Sequence, residues 1–550
     1  MNKALIIMVS ILFIFLLNIA VYGNEKSTYI FLQPVNDEKG QIFQEKDDKK
    51  YPLLEEISGD KVKPVEELLK GGMPALSLKL DGMEKNFILN QVQKNELKDE
   101  EASKIFAEPL YICLIKGGNR PKCGFFLKKG DEIFEKTKVF YIEMPHEANQ
   151  FEKIFSHEHG HLLDFYLSNY SFPCYPMRPV HTISAVTDFE MAFIEGWGEH
   201  FEVMTIDMTK NQEIRDFYNL NDLKGKSYFF YLQDMLTIAQ SFKRYLWVKG
   251  NLFAFKKNNY IADGLTGEEF NKNFMYNWMN YSFSGGELKN AHQMLSCEGV
   301  SSHMFYQMAT DKNMMNRYRE PDFYRDFLNM EEFTEKDITP QENIYLKMIY
   351  AKYFLFKDYE KEKPFEAGPL FLDFVKKYME LFPEDRDDIL QIFCLSTFFT
   401  TSFKNAGEIY RKADFDTHML CYDMEGTSRN FKELYGVIQK NFNEIKNDSS
   451  LLYKNVGPPL WIDNETFKPV CLGQNMGGIS INLNGAEDFE LMTLGGMTAK
   501  QAEALIECRE KTGYFSSIKD IEDTGILSER QVKELLNMRE NYLNRYKNKL

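Results

Sequence analysis

The sequence predicts an α+β chain of 550 residues laid out in series: a small N-terminal mixed-sheet region, a largely helical middle and a small all-α tail. Three observations predict it. Residues 24–148 hold short apolar runs parted by charged, turn-prone stretches, which is the pattern of strands. Residues 149–455 change to apolar spacings of three and four, the period of a helix. Residues 481–550 alternate helical stretches with two glycine-containing turns. A composition of 44% hydrophobic and 27% charged residues agrees with a chain able to bury real cores. It excludes a disordered tail protein, a collagen-like fibre and a disulfide miniprotein. At roughly 100–200 residues per domain, the length suits about three or four domains.

The first residues bear on compartment. Met1-Asn2-Lys3 is a short positive start, and Ala4 to Ala20 is apolar apart from Ser10 and Asn18. Val21-Tyr22-Gly23 then precedes polar Asn24-Glu25-Lys26. Residues 1–23 read as a secretory signal peptide. The competing reading is an uncleaved anchor, because about 17–20 apolar residues can just span a bilayer. Later in the chain no run has that length and purity. The expected product is therefore secreted, periplasmic or held at the cell surface, with no stable membrane span once the signal is removed.

Within 24–148 the β-like runs are Thr28–Leu32, Ala75–Leu80, Phe87–Val92, Leu110–Ile115, Gly124–Leu127 and Val139–Ile142. Cys113 and Cys123 flank Lys116-Gly117-Gly118-Asn119-Arg120-Pro121, a strong turn signal. In an exported chain they are the best candidates for a disulfide closing a hairpin. The remaining six cysteines are too dispersed to pair by reading, and no CxxC offers a cysteine zinc site. In 149–455, Phe371, Phe374, Val375, Tyr378 and Phe382 follow helical spacing up to Pro383. The many Phe, Tyr and Met residues there are expected to be plain core. Residues 456–480 read as a linker, with Gly457-Pro458-Pro459 at its start. The chain carries 66 Lys and Arg against 82 Asp and Glu, a net charge of −16. Such a balance repels phosphate, so any nucleic-acid role needs a local feature.

The strongest chemical signal is His157-Glu158-His159-Gly160-His161. In this H-E-x-x-H pattern the first and last histidines lie four apart and share one helix face, where both can bind one zinc ion. Glu158 stands beside them, placed to take a proton from the attacking water. Counting 100° per residue from His157, His161 falls at about 40°, Glu158 at about 100° and His159 near 200°. His159 therefore points away and is not counted as a ligand. Ile154, Phe155, Leu162 and Phe165 fall together on a coherent buried side.

Downstream stands Phe193-Ile194-Glu195-Gly196-Trp197-Gly198-Glu199-His200-Phe201-Glu202. With the H-E-x-x-H segment, these residues resemble the gluzincin clan of zinc metallopeptidases, in which a second helix supplies a glutamate in an E-G context. The resemblance makes the fold zincin-like, the cofactor one Zn2+ per chain and Glu195 the third ligand. It places Glu199, one turn on, among the carboxylates that hydrogen-bond a ligand histidine; Glu199 as the ligand instead remains open, since either carboxylate could reach a tetrahedral ion. Asp164, three residues after His161, is a second supporting carboxylate, and H-E-x-x-H-x-x-D also resembles the lethal-factor-like members of the clan. The likeness covers about residues 149–203. Thirty-three residues separate His161 from Glu195, longer than in thermolysin-like enzymes, and Gly198 stands where the clan pattern has alanine. No G-A-M-E-N exopeptidase motif is present. By analogy with zincins, the run Val139–Ile142 is the candidate strand for pairing with extended substrate. Glu298-Gly299 with His303 belongs either to the same cleft or to a helix start.

The tail begins Ile481-Asn482-Leu483-Asn484, followed by Leu494-Gly495-Gly496-Met497-Thr498 and later Thr524-Gly525-Ile526-Leu527. It resembles the helix-hairpin-helix tail of late-competence DNA-uptake proteins. The resemblance implies phosphate binding at Gly495, Gly496, Thr498 and Lys500, through backbone N–H groups at a helix start. Residues 481–550 carry 12 acidic and 10 basic side chains, however, and no basic stripe. A packing or protein-interaction module is thus the competing reading.

The expected function is an exported zinc metallopeptidase acting on peptide or protein substrates. The alternative is a surface or periplasmic protein that uses its tail to bind nucleic acid or protein, with an inactive zincin core.

Overall fold

The computed structural model describes residues 29–94, 104–146, 148–168, 186–212, 290–328, 337–362, 368–397, 468–473, 480–486, 488–493 and 496–547. The signal-like residues 1–23, most of the 456–480 segment and Gly495 lie outside them. The structure is mixed helix and strand with a helical C-terminal region. In chain order its elements are β1 (Tyr29–Pro34), β2 (Asn36–Asp37), β3 (Gly40–Gln41), β4 (Phe43–Lys46), β5 (Lys49–Glu56), α1 (Lys63–Leu68), α2 (Gly72–Lys94), β6 (Leu110–Leu114), β7 (Arg120–Lys129) and β8 (Glu132–Met144). Then come α3 (Ala148–Leu167), α4 (Phe189–Met208), α5 (Ala291–Leu295), α6 (Glu298–Thr310), α7 (Lys312–Asn316), α8 (Pro321–Leu328), α9 (Pro340–Glu362), α10 (Leu370–Leu381) and α11 (Arg386–Ser396). The tail holds β9 (Cys471–Gly473), β10 (Ser480–Asn482), α12 (Asp488–Thr493), α13 (Ala499–Thr512), α14 (Ile518–Asp523) and α15 (Glu529–Lys547). Two compact units form, interleaved in sequence: residues 1–170, 204–217 and 312–350 make the first, and 171–203, 218–311 and 351–550 the second.

In the first unit the strands close on themselves. β1 runs parallel to β6, β6 parallel to β8, β8 antiparallel to β7, β7 parallel to β5, and β5 antiparallel back to β1. β4 extends β5 as an edge strand. Alternate side chains of a strand share one face, and Leu32, Leu54, Tyr111, Cys113, Phe125, Leu127, Val139 and Tyr141 pack into one buried cluster. Every strand of the circuit contributes to it. β7 bulges between Cys123 and Phe125, where Gly124 has φ +89°. A Cβ there would meet the Tyr51 ring at 2.5 Å, so both conformation and space require glycine.

The structure corrects three expectations in this region. Ala75–Leu80 and Phe87–Val92 are not strands; both lie in the 23-residue helix α2. Most of its sides are buried, and half-buried positions recur at Ala75, Lys79, Gly82 and Asn86, a helical spacing that the local alternation of Ala75–Leu80 disguises. α2 packs on α8, with Phe87 and Phe327 stacked at 4.5 Å and Asn90 Nδ2 donating to the Asp326 carbonyl at 2.7 Å. Cys113 and Cys123 are free thiols, not a disulfide. They pair with Glu143 and Phe140 on opposite sides of β8, so two strand spacings of about 4.8 Å separate them, beyond the roughly 7 Å reach of a bridge. β8 itself has both sides occupied, by β6 at Tyr141–Met144 and by β7 at Phe140–Glu143, which leaves no free edge for a substrate strand.

The second unit is held by aromatics. Phe193 and Trp197 on α4, Phe305 on α6 and Phe374 on α10 pack ring to ring at 5.0–5.7 Å. The Lys352 ammonium lies 3.7 Å from the Trp197 ring centre. α10 buries Phe371, Phe374, Val375 and Tyr378 and stops before Pro383, as its spacing predicts. In the tail, β9 and β10 pair antiparallel and a single apolar cluster runs from Val470 to Leu535. Arg509 is buried there, donating to the carbonyls of Leu483 and Ala486 at 2.8 and 2.9 Å.

Candidate metal centre

Helix α3 presents His157 and His161 side by side. Their rings are nearly perpendicular, at 83°, and the two Nε2 atoms stand 3.0 Å apart. Two imidazoles on one tetrahedral zinc, each at ~2.0–2.1 Å, would hold their nitrogens about 3.3 Å apart. The pair is thus within a few tenths of an ångström of a chelating arrangement; 3.0 Å equally suits one N–H donating to the other ring. Glu158 follows His157 and is buried at 8% exposure. Asp164, one turn beyond His161, is fully buried.

His159 does point away from the pair. Its Nδ1 lies 2.9 Å from Ser77 Oγ and its Nε2 3.6 Å from Asp81 Oδ1. Asp81 also receives Lys85 Nζ at 2.9 Å, and Lys85 reaches the Glu108 carbonyl at 3.3 Å. Ser77, Asp81 and Lys85 are spaced by four on α2, one turn apart on one helix face. Serine, histidine and aspartate here outwardly match a hydrolase triad. All three are wholly buried, so no substrate reaches them and the network serves to fix α3 against α2. Sequence reading took Ala75–Leu80 as a strand, which hid that Ser77, Asp81 and Lys85 share one face of a helix.

Helix α4 starts under a side-chain cap, with Asp188 Oδ1 accepting the Met191 N–H at 2.7 Å. Glu195, Glu199 and Glu202 fall at i, i+4 and i+7, one face of the helix. Glu195 is half-buried, while Glu199 and Glu202 are buried. His200 turns elsewhere: it is buried against Trp197 and Phe305, and its Nδ1 bonds the Trp197 carbonyl. Gly196 lies against α6, where an added Cβ would stand 2.5 Å from Ser301 Cβ. Glu298 is the first residue of α6, and both it and His303 are buried in that helix, so the segment is a helix start.

His157 and His161 belong to the first unit, and Glu195, Glu199 and Glu202 to the second. A donor set of two imidazoles and a carboxylate is the composition of a catalytic zinc site with one open position.

The tail's two hairpins meet at their helix starts. Gly496 and Gly525 have φ +61° and +66°. Thr498 caps α13 in a capping box with Gln501, and Ser528 bonds Gln531 in the same manner before α15. The two glutamines then exchange amide hydrogen bonds at 3.0 and 3.1 Å. Gln531 Nε2 reaches the Gly496 carbonyl at 3.3 Å. Lys500 is exposed, and Glu534 Oε2 lies 3.8 Å from where a Gly496 Cβ would sit.

A family model for the helix-hairpin-helix motif matches residues 477–536, so the tail is a helix-hairpin-helix motif. It covers a small part of the chain. No curated protein matches the sequence, and no solved structure matches it.

Proposed function

We propose that the protein is an exported, zinc-dependent metallopeptidase with a zincin-like catalytic region. One observation carries the reading: His157 and His161 share one face of α3, with their Nε2 atoms 3.0 Å apart. His157, His161 and Glu195 would hold the ion. Bound zinc would supply a Lewis acid that polarises a peptide carbonyl and makes water acidic near neutral pH. Glu158, next to His157 in sequence, takes the proton of the attacking water on a carboxylate oxygen and delivers it to the leaving amine nitrogen. Asp164 and Glu199 are the carboxylates that orient the ligand imidazoles. The peptide C–N bond breaks, water is consumed, and the products are a carboxylate and an amine. Export follows from residues 1–23; among the described residues, no helix is long and apolar enough to cross a membrane. The test is digestion of a peptide library. Wild type cleaves, and Glu158→Gln retains metal while losing cleavage; cleavage by Glu158→Gln at the wild-type rate would refute the mechanism.

The helix-hairpin-helix match favours a second reading, a nucleic-acid-binding surface protein. Against it stand the glutamine interlock that engages both helix starts and the Glu534 carboxylate beside Gly496. Salt-dependent DNA binding by the full chain decides it, because phosphate contacts are strongest at low salt. No binding at low salt removes this reading.

A further inference from the structure

The tail, through Asn482–Gly485 and Tyr514, is tied to a distant segment, residues 290–297, that in turn holds the start of the helix bearing Glu195. Asn290 and Gln293 form a capping box at α5. Their side-chain amides also donate outward: Asn290 Nδ2 to the Asn484 carbonyl at 3.0 Å, and Gln293 Nε2 to the Gly485 carbonyl at 3.1 Å. The Ala291 N–H donates to Tyr514 Oη at 2.9 Å. His292 is fully buried, with Nδ1 3.1 Å from Asn482 Nδ2. Asn484 bonds both backbone groups of Phe515, at 2.8 and 2.9 Å, which fixes Tyr514 beside it.

The same segment meets α4. The His292 ring lies 4.2 Å from the Tyr514 ring and 5.9 Å from that of Phe189, the first residue of α4. The Thr187 N–H donates to the Ser296 carbonyl at 2.8 Å, and Val186 forms a β-bridge with Cys297. One helix further, Ser301 abuts Gly196. Residues 290–301 therefore grip the chain before and after Glu195, and the tail grips residues 290–293.

We propose that the helix-hairpin-helix tail is a built-in brace for the metal centre, with Tyr514 and Asn484 as positioning residues that act through His292 and Phe189 on Glu195. This rests on the zinc reading above. Its physical basis is that a ligand's supporting contacts set how well it is preorganised for the ion: losing a direct hydrogen-bond partner of a ligand commonly weakens metal affinity about 10–100-fold, and support passed on through His292 and Phe189 counts for less.

The experiment measures zinc affinity by chelator competition on the full chain, for wild type, Tyr514→Ala and Asn484→Ala, with circular dichroism to verify folding. The cobalt(II) absorption spectrum serves as a second readout of ligand geometry. Folded variants are expected to bind zinc several-fold more weakly and to show an altered cobalt spectrum. Should both variants lose their fold, Tyr514→Phe decides. It keeps the ring against His292 and loses only the bond to Ala291, and is expected to weaken zinc binding a few-fold. Folded variants with wild-type affinity and spectrum overturn the brace while leaving the zinc reading intact. A wild type that binds no zinc overturns both.

Discussion

Gly196 and Ser301 touch at a point where only a glycine fits: a Cβ on residue 196 would lie 2.5 Å from Ser301 Cβ and 2.8 Å from the Glu298 carbonyl oxygen. The glycine beside Glu195 thus has a packing cause, the close crossing of α4 and α6. Gly196→Ala must push the helices apart. Overpacking of this kind costs about 1–3 kcal/mol. Denaturant unfolding of the variant is expected to show that loss together with weakened zinc binding, and an unchanged midpoint would contradict the crossing.

Glu152 gives a pH prediction. Burial on α3 raises its carboxyl pKa above the ordinary 4.5, offset in part by a hydrogen bond from Thr209. A raised folded-state value means that the protonated form is favoured by folding. The associated stability is full below pH 4.5 and is lost as pH rises through the folded-state value. Glu152→Gln, neutral at every pH, should therefore match wild type in acid and exceed it at pH 8. Melting temperatures of the two across pH 4–8 check this; parallel curves would contradict it.

The thiols provide a third check. Desolvation pushes both thiols up, but Cys113 lies buried inside the strand circuit whereas Cys123 is exposed to reagent. Alkylation of the native protein followed by peptide mapping should label Cys123 and spare Cys113. A disulfide-linked pair of peptides would show the strand order to be wrong.

Legibility followed locality. His157, Glu158 and His161 were readable because a helix makes an i, i+4 pair meet without help from the rest of the chain. The tail was readable because its glycine turns are local too. Helix α2 was not: a helix buried on most sides lacks the polar stripe that reveals its period, and Asp81 and Glu84 lie at buried positions. β4 and β5 escaped because Phe43–Lys46 and Lys49–Glu56 are largely polar and interrupted by Pro52. The links of Asn482 to His292 and of Ser77 to His159 join residues 190 and 82 positions apart, which no local pattern encodes.

Elemental analysis of the purified protein tests the central claim most directly. Wild type and Glu158→Gln should each carry one zinc per chain, and His161→Ala close to none. A wild type without zinc, or a His161→Ala protein that keeps a full equivalent, would contradict the proposed centre.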